Sequence, residues 1–167
     1  MPRASARVDV VLVPTSAEVG DAQLAAAWWQ LGVQRGWWLE DGSAGAQADQ
    51  CVQGGFARAR IEHSPAPRLI ANQLGGFRVR CRVCGANAVR DFSVGMGNWR
   101  KGEPREWRCT SCGTRQALED AELTPPGAFA VVALHLMDAA TAEVRPEVVS
   151  ALAELGTPTT QIARRIG

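Results

Sequence analysis

The spacing of apolar positions assigns an element to most of the chain. Arg7 to Val13 is rich in valine and ends at Pro14, which cannot donate to a β-ladder, so a first strand is predicted there. From Asp21 the apolar residues Leu24, Trp28 and Leu31 recur at four and three residues, with Asp21 placed as an N-cap and Gly32 near the end of a first helix. Gly36 to Gln53 then loses periodicity after Trp37 and Trp38, and reads as a long surface loop. Phe56 to Glu62 alternates small apolar residues with Arg58 and Arg60, predicting a second strand broken by Ser64-Pro65-Ala66-Pro67. Beyond Pro125-Pro126-Gly127, Ala128 to Met137 has the valine content of a buried strand. Pro146 opens a second helix whose apolar face is Val148, Val149, Leu152 and Leu155. Thr159 to Ile166 fits either period, because Ile162 and Ile166 share a face of a helix or of a strand; we take it as a strand.

The resulting order is strand, helix, strand, a cysteine-bearing segment, strand, helix, strand. It is an α+β order and resembles the ferredoxin-like split βαβ plan, with the cysteine segment occupying the connection between the second and third strands. At 167 residues the chain suits one domain carrying a small insert. The expected scaffold is therefore discontinuous, residues 1–76 and 117–167, with the insert at 77–116.

The insert carries the most specific signal. Cys81-Arg82-Val83-Cys84-Gly85 and Cys109-Thr110-Ser111-Cys112-Gly113 are two knuckles of the same form. In each, two sulfurs three positions apart can converge on one ion, and the glycine permits the turn that aims them. Cys81, Cys84, Cys109 and Cys112 together complete the tetrahedral shell of one Zn²⁺ and leave no position for water, which predicts a structural role. The segment resembles the zinc-ribbon group, over about a quarter of the chain, and the 24 residues between the knuckles suffice for a β-hairpin with Gly95-Met96-Gly97 at its tip. Zinc ribbons occur in transcription, translation and RNA-processing proteins and in plain protein-binding modules, so the resemblance bears on fold more than on function. Four thiolates could alternatively hold an Fe–S cluster. Cys51, in the polar loop, is expected to be a free thiol.

Several chemistries lack their residues. A zinc deaminase needs His-x-Glu ahead of Pro-Cys-x-x-Cys, whereas here Glu62 precedes His63 and no proline precedes Cys81. There is no Gly-x-Ser-x-Gly elbow, Walker loop or His-Glu-x-x-His helix. His63 and His135 are the only histidines, and His135 sits inside an apolar strand, where a core or edge role is expected. We expect no enzyme. No targeting sequence precedes the first apolar run, which implies cytoplasmic residence. The longest apolar stretch, Ala128 to Met137, falls far short of the ~20 residues that a membrane helix needs.

Composition is globular, with 46% hydrophobic and 21% charged residues, and the 18 basic residues nearly balance 17 acidic ones. The distribution is uneven. Between Phe77 and Gln116 nine basic residues face three acidic ones, leaving the remainder net acidic. Four thiolates around zinc carry a net charge of −2 and account for part of this excess. Trp99, Arg100, Lys101, Arg105, Trp107 and Arg108 are the candidate partner-binding residues, since tryptophan and arginine dominate both protein hot spots and single-stranded nucleic-acid platforms. An acidic protein surface is the favoured partner, of the kind an inhibitor, toxin-neutralising protein or adaptor engages, because the acidic remainder would repel a phosphate backbone. A nucleic-acid-binding regulator is the alternative.

Overall fold

The computed structural model describes residues 8–72 and 76–165. Arg7 and Ile166, the outer residues of the expected first and last strands, lie outside that range. In chain order the elements are β1 (Val8–Pro14), α1 (Ala22–Arg35), α2 (Ala48–Cys51), β2 (Arg58–Ile70), β3 (Arg78–Arg80), α3 (Val89–Arg100), β4 (Glu106–Arg108), β5 (Arg115–Ala117), β6 (Glu122–Thr124), β7 (Ala128–Ala139), α4 (Pro146–Ala153) and β8 (Thr159–Arg165). The chain divides into two compact units, Met1–Gly75 with Ala128–Gly167, and Gly76–Gly127. No described helix is long and apolar enough to cross a membrane.

The first unit is built on a four-stranded antiparallel sheet in the order β2-β7-β1-β8. Side chains alternate across it. Val10, Leu12, Val132, Leu134 and Leu136 meet Leu24, Ala25 and Trp28 of α1 and Val148 and Leu152 of α4, so α1 and α4 cover one face. Asp21 caps α1 by accepting from the Leu24 N–H at 2.8 Å, and Gly36 in the left-handed region ends the helix. Gly32 serves packing, not capping: a Cβ there would sit 1.9 Å from Trp38 Cζ2.

The other face carries Val11, Val13, Ala133 and Ile162 and is covered by part of the same sheet. Register sets Ile70 opposite Ala128, at the far end from Arg165, which lies opposite Val8. Yet the Arg165 N–H donates to Asn72 Oδ1 at 3.3 Å. The β2–β7 pair therefore folds back across the open face and lays Ile70 and Ala130 against Val11 and Ile162. The bend is placed by a bulge. His63 lies opposite Val132 and Arg68 opposite Ala130, so Ser64-Pro65-Ala66-Pro67 faces Val131 alone. The expected break at these prolines is thus a bulge on an edge strand, where prolines need no ladder bond.

A further expectation is corrected. The segment Gly36 to Gln53 is no surface loop: Trp37, Trp38, Ala48, Cys51 and Val52 are buried in the helix-side core. Cys51 is fully buried, and burial pushes its thiol up to about 12. Trp38 fixes this segment by donating Nε1 to the Trp29 carbonyl at 3.1 Å.

The second unit pairs β3 with β6 and β4 with β5, both antiparallel, around α3. It runs past the expected Gln116 to Gly127 because β6 is the partner of β3. The stretch between the knuckles is not the expected hairpin. Phe92, Gly95 and Met96, at helical spacing, bury one face of α3, and Gly95 brings it close to β4: a Cβ would lie 2.6 Å from Trp107 Cβ and 2.8 Å from the Glu106 carbonyl oxygen. Phe92 meets Phe77 and Trp107 edge-on, with centroids 6.1 and 6.4 Å apart.

Candidate metal centre

Each knuckle follows a short strand and closes by the same hydrogen bonds. In the first, the Cys81 N–H donates to the Ala86 carbonyl at 3.0 Å and the Gly85 N–H to the Cys81 carbonyl at 2.8 Å. In the second, the Cys109 N–H donates to the Thr114 carbonyl at 3.0 Å and the Gly113 N–H to the Cys109 carbonyl at 2.7 Å. Gly85 and Gly113 have φ of 72° and 77°, the left-handed conformation that lets these turns close without strain. The same backbone closure therefore gives two ligand pairs of the same form.

The four Sγ atoms come together, all within 4.8 Å of one another. Cys81 Sγ lies 3.8 Å from Cys112 Sγ, and Cys84 Sγ 3.7 Å from Cys109 Sγ, so the close pairs join sulfurs of different knuckles. A tetrahedron with metal–sulfur bonds of about 2.3 Å has edges of about 3.8 Å. The cluster thus has the size for one tetrahedral ion. A four-iron cluster, in which each iron takes its own thiolate, needs a wider spread.

Electrostatics also call for a cation. The Cys84 and Val83 N–H groups and the Gln116 amide hold Cys81 down to about 6. At Cys84 the Ala86 N–H acts in the same direction, but burial and the crowding of Cys109, Cys81 and Cys112 outweigh it and push the thiol up to about 11. The Thr114 hydroxyl and N–H hold Cys112 down as well, so thiolates form readily at Cys81 and Cys112 while Cys84 resists a further charge, a conflict that a divalent ion removes.

Around the cysteines, Gln116 Nε2 donates to Cys81 Sγ at 3.0 Å. Asp91, in the first turn of α3, accepts from the Thr110 N–H at 2.9 Å and its hydroxyl at 3.1 Å, fastening the helix to the second knuckle. Neither contact was signalled by sequence spacing, because each depends on α3 and β5 being brought to the knuckles.

The candidate partner residues separate into two groups. Arg100, Lys101 and Arg108 are exposed. Trp107 is 3% exposed and packs inside the unit, so it offers no face to a partner. Its Nε1 and the Oε1 of Gln116, directly opposite, are buried without hydrogen bonds. Arg105 lies over the Trp99 ring at 5.9 Å and pairs with Glu119 at 3.4 Å, so both are engaged internally.

In the scaffold, His135 is buried in the row Arg60–His135–Val11–Ile162. Its Nε2 lies 3.2 Å from Glu62 Oε1 but out of line for a hydrogen bond, and Arg164 Nη2 is 3.5 Å from its Nδ1. Glu62 is held by Arg60 at 2.6 Å and by Arg68. Burial first, then the charges of Arg60, Arg164 and Arg68, press His135 down to about 4.

No family model, curated protein or solved structure matches the chain, so the four-cysteine centre on a mixed α+β fold is what its own residues identify.

Proposed function

We propose that the chain is a non-enzymatic zinc-binding protein of the cytoplasm, in which a ferredoxin-like scaffold carries a zinc-ribbon-type insert that engages an acidic protein surface. The sulfur tetrahedron carries the metal reading: its edges of 3.7 and 3.8 Å suit one Zn²⁺, and four thiolates leave the ion no position for substrate. The scaffold reading is supported by the strand order β8-β1-β7-β2, fully antiparallel, with α1 and α4 on one face.

For the partner, the supporting observation is the outer surface of α3 and its C-terminus, where Arg90, Val94, Arg100 and Lys101 are exposed together. The exposed Val94 gives an apolar contact among cations, a combination suited to a protein surface. Extension of the unit to Gly127 tempers the charge argument, since nine basic residues then face six acidic ones. The nucleic-acid alternative is weakened more. It needs stacking faces, but Trp107 is buried and Trp99 lies under Arg105.

Native mass spectrometry of protein purified from its own host tests both parts at once. One zinc and a stoichiometric protein, retained in about 0.5 M salt where surface electrostatics are screened, supports the proposal. One zinc with nucleic acid, lost steeply as salt rises, replaces it with the alternative.

A further inference from the structure

The four sulfurs of the metal centre are not equivalent. Cys81 and Cys109 are buried, at 1% and 0% exposure, whereas Cys84 and Cys112 are exposed. Their hydrogen bonding differs as well. Cys81 Sγ accepts from the Gln116 amide and from the N–H groups of Val83 and Cys84. Cys112 Sγ lies 3.3 Å from the Thr114 hydroxyl and accepts from the Thr114 N–H. Cys84 has one donor, the Ala86 N–H. Each such bond draws charge from sulfur and lowers its nucleophilicity. Cys84 is therefore the sulfur that solvent reaches and that hydrogen bonds quench least. The buried Cys109 Sγ stands 3.7 Å from it.

We infer that Cys84 is an oxidation site, at which a hydroperoxide attacks Sγ, Cys109 resolves the product into a Cys84–Cys109 disulfide, and the metal is released. The inference rests on the zinc reading above. In the first step the Cys84 thiolate displaces hydroxide from hydrogen peroxide, forming an S–O bond and breaking the O–O bond. In the second the Cys109 thiolate attacks the sulfenic sulfur, forming the S–S bond and expelling a second hydroxide. Two thiolates lose two electrons, peroxide gains them, and the two hydroxides take up two protons to become water. Zinc is left with Cys81 and Cys112 alone, half its shell, and dissociates.

Full-length protein tests this, with its metal counted by native mass spectrometry before hydrogen peroxide is added. Released zinc is followed with a chromogenic chelator, and peptide mass spectrometry maps the sulfurs with and without dimedone, which traps sulfenic acids. The expected result is a dimedone adduct at Cys84. Without the trap, one Cys84–Cys109 disulfide should form per zinc released, reversed by a thiol reductant and fresh zinc. Labelling at Cys112, labelling spread evenly over the four, or a Cys81–Cys112 disulfide overturns the assignment. Zinc retained under peroxide that already converts methionine to sulfoxide in the same sample overturns it too. A chain that carries no zinc before peroxide overturns the zinc reading itself, and the count distinguishes that failure from the others.

Discussion

The side-chain amide of Gln116 donates to Cys81 Sγ at 3.0 Å, reaching from β5, beyond the second knuckle, to the first ligand of the first. The bond spans 35 residues of sequence and disperses thiolate charge at a shielded sulfur. Gln116→Leu keeps the volume and removes the donor. Metal affinity should fall by about 10- to 100-fold, the usual effect of losing a partner that orients a ligand, with stoichiometry unchanged. Competition against a calibrated chelator reads this directly; an unaltered affinity would show that the contact contributes nothing to the ion.

Metal removal should separate the two units. Structural zinc supplies about 10 to 16 kcal/mol in small sites, comparable with the ~5 to 15 kcal/mol of a whole domain. The second unit has short strands of three residues and one α-helix, so chelation or Cys81→Ser should unfold Gly76–Gly127. The helix-side core of the first unit contains none of its residues and should survive, keeping the far-ultraviolet signal of α1 and α4. Simultaneous loss of every helical signal would mean the units fold as one.

Two glycines of α3, two positions apart, predict opposite outcomes. A Cβ at Gly95 would meet Trp107 Cβ at 2.6 Å and the Glu106 carbonyl oxygen at 2.8 Å, neither able to swing aside. Gly95→Ala should destabilise the second unit by about 1 to 3 kcal/mol through overpacking. At Gly97 a Cβ would find nothing within 4 Å, and Gly97→Ala should stabilise the unit by about 0.5 to 1 kcal/mol through helix propensity. Urea titrations of the zinc-loaded variants order the three proteins, and a stabilised Gly95→Ala would refute the close approach of α3 to β4.

Acid should weaken the scaffold through His135. Its pKa is depressed to about 4 when folded, against an ordinary value near 6.5 when unfolded. Between these values the unfolded chain binds the extra proton, so stability is intact above about pH 6.5 and is lost as pH falls toward 4. Complete loss amounts to at most about 3 kcal/mol. His135→Gln should flatten that part of the pH–stability curve for the first unit, and an unchanged curve would show that burial of His135 carries no such cost.

The bend of the β2–β7 pair gives a further test. Register counts Ser64-Pro65-Ala66-Pro67 against Val131 alone, so deleting three of these residues would restore a regular ladder and straighten the arm. Ile70 and Ala130 would then leave Val11 and Ile162 uncovered. Such a deletion should expose apolar surface, seen as dye binding or self-association; a well-behaved monomer would show that the cover does not depend on the bulge.

Local chemistry decided what could be read from the chain. Cys81, Cys84, Cys109 and Cys112 were legible because each knuckle is set within five residues, by two sulfurs at fixed spacing and a glycine free to adopt positive φ. The four scaffold strands and the helices α1 and α4 were legible because alternation and the four-and-three spacing reflect one buried face each, whereas the three-residue strands β3, β4, β5 and β6 were not. What sequence spacing could not supply came from contacts between distant residues. Phe92, Gly95 and Met96 form a helix face only because Trp107 and Leu118 are there to receive it, so two glycines that read as a hairpin tip lie inside α3. The same helix buries Trp107, which composition alone placed on a binding surface. Cys51 is the free thiol expected, but the polar stretch that carries it is no surface loop: Trp37 and Trp38 draw it into the core. Side-chain identity fixed the ligands and the periodicities; only the packing of one element on another decided which polar and aromatic residues remain available to a partner or an oxidant.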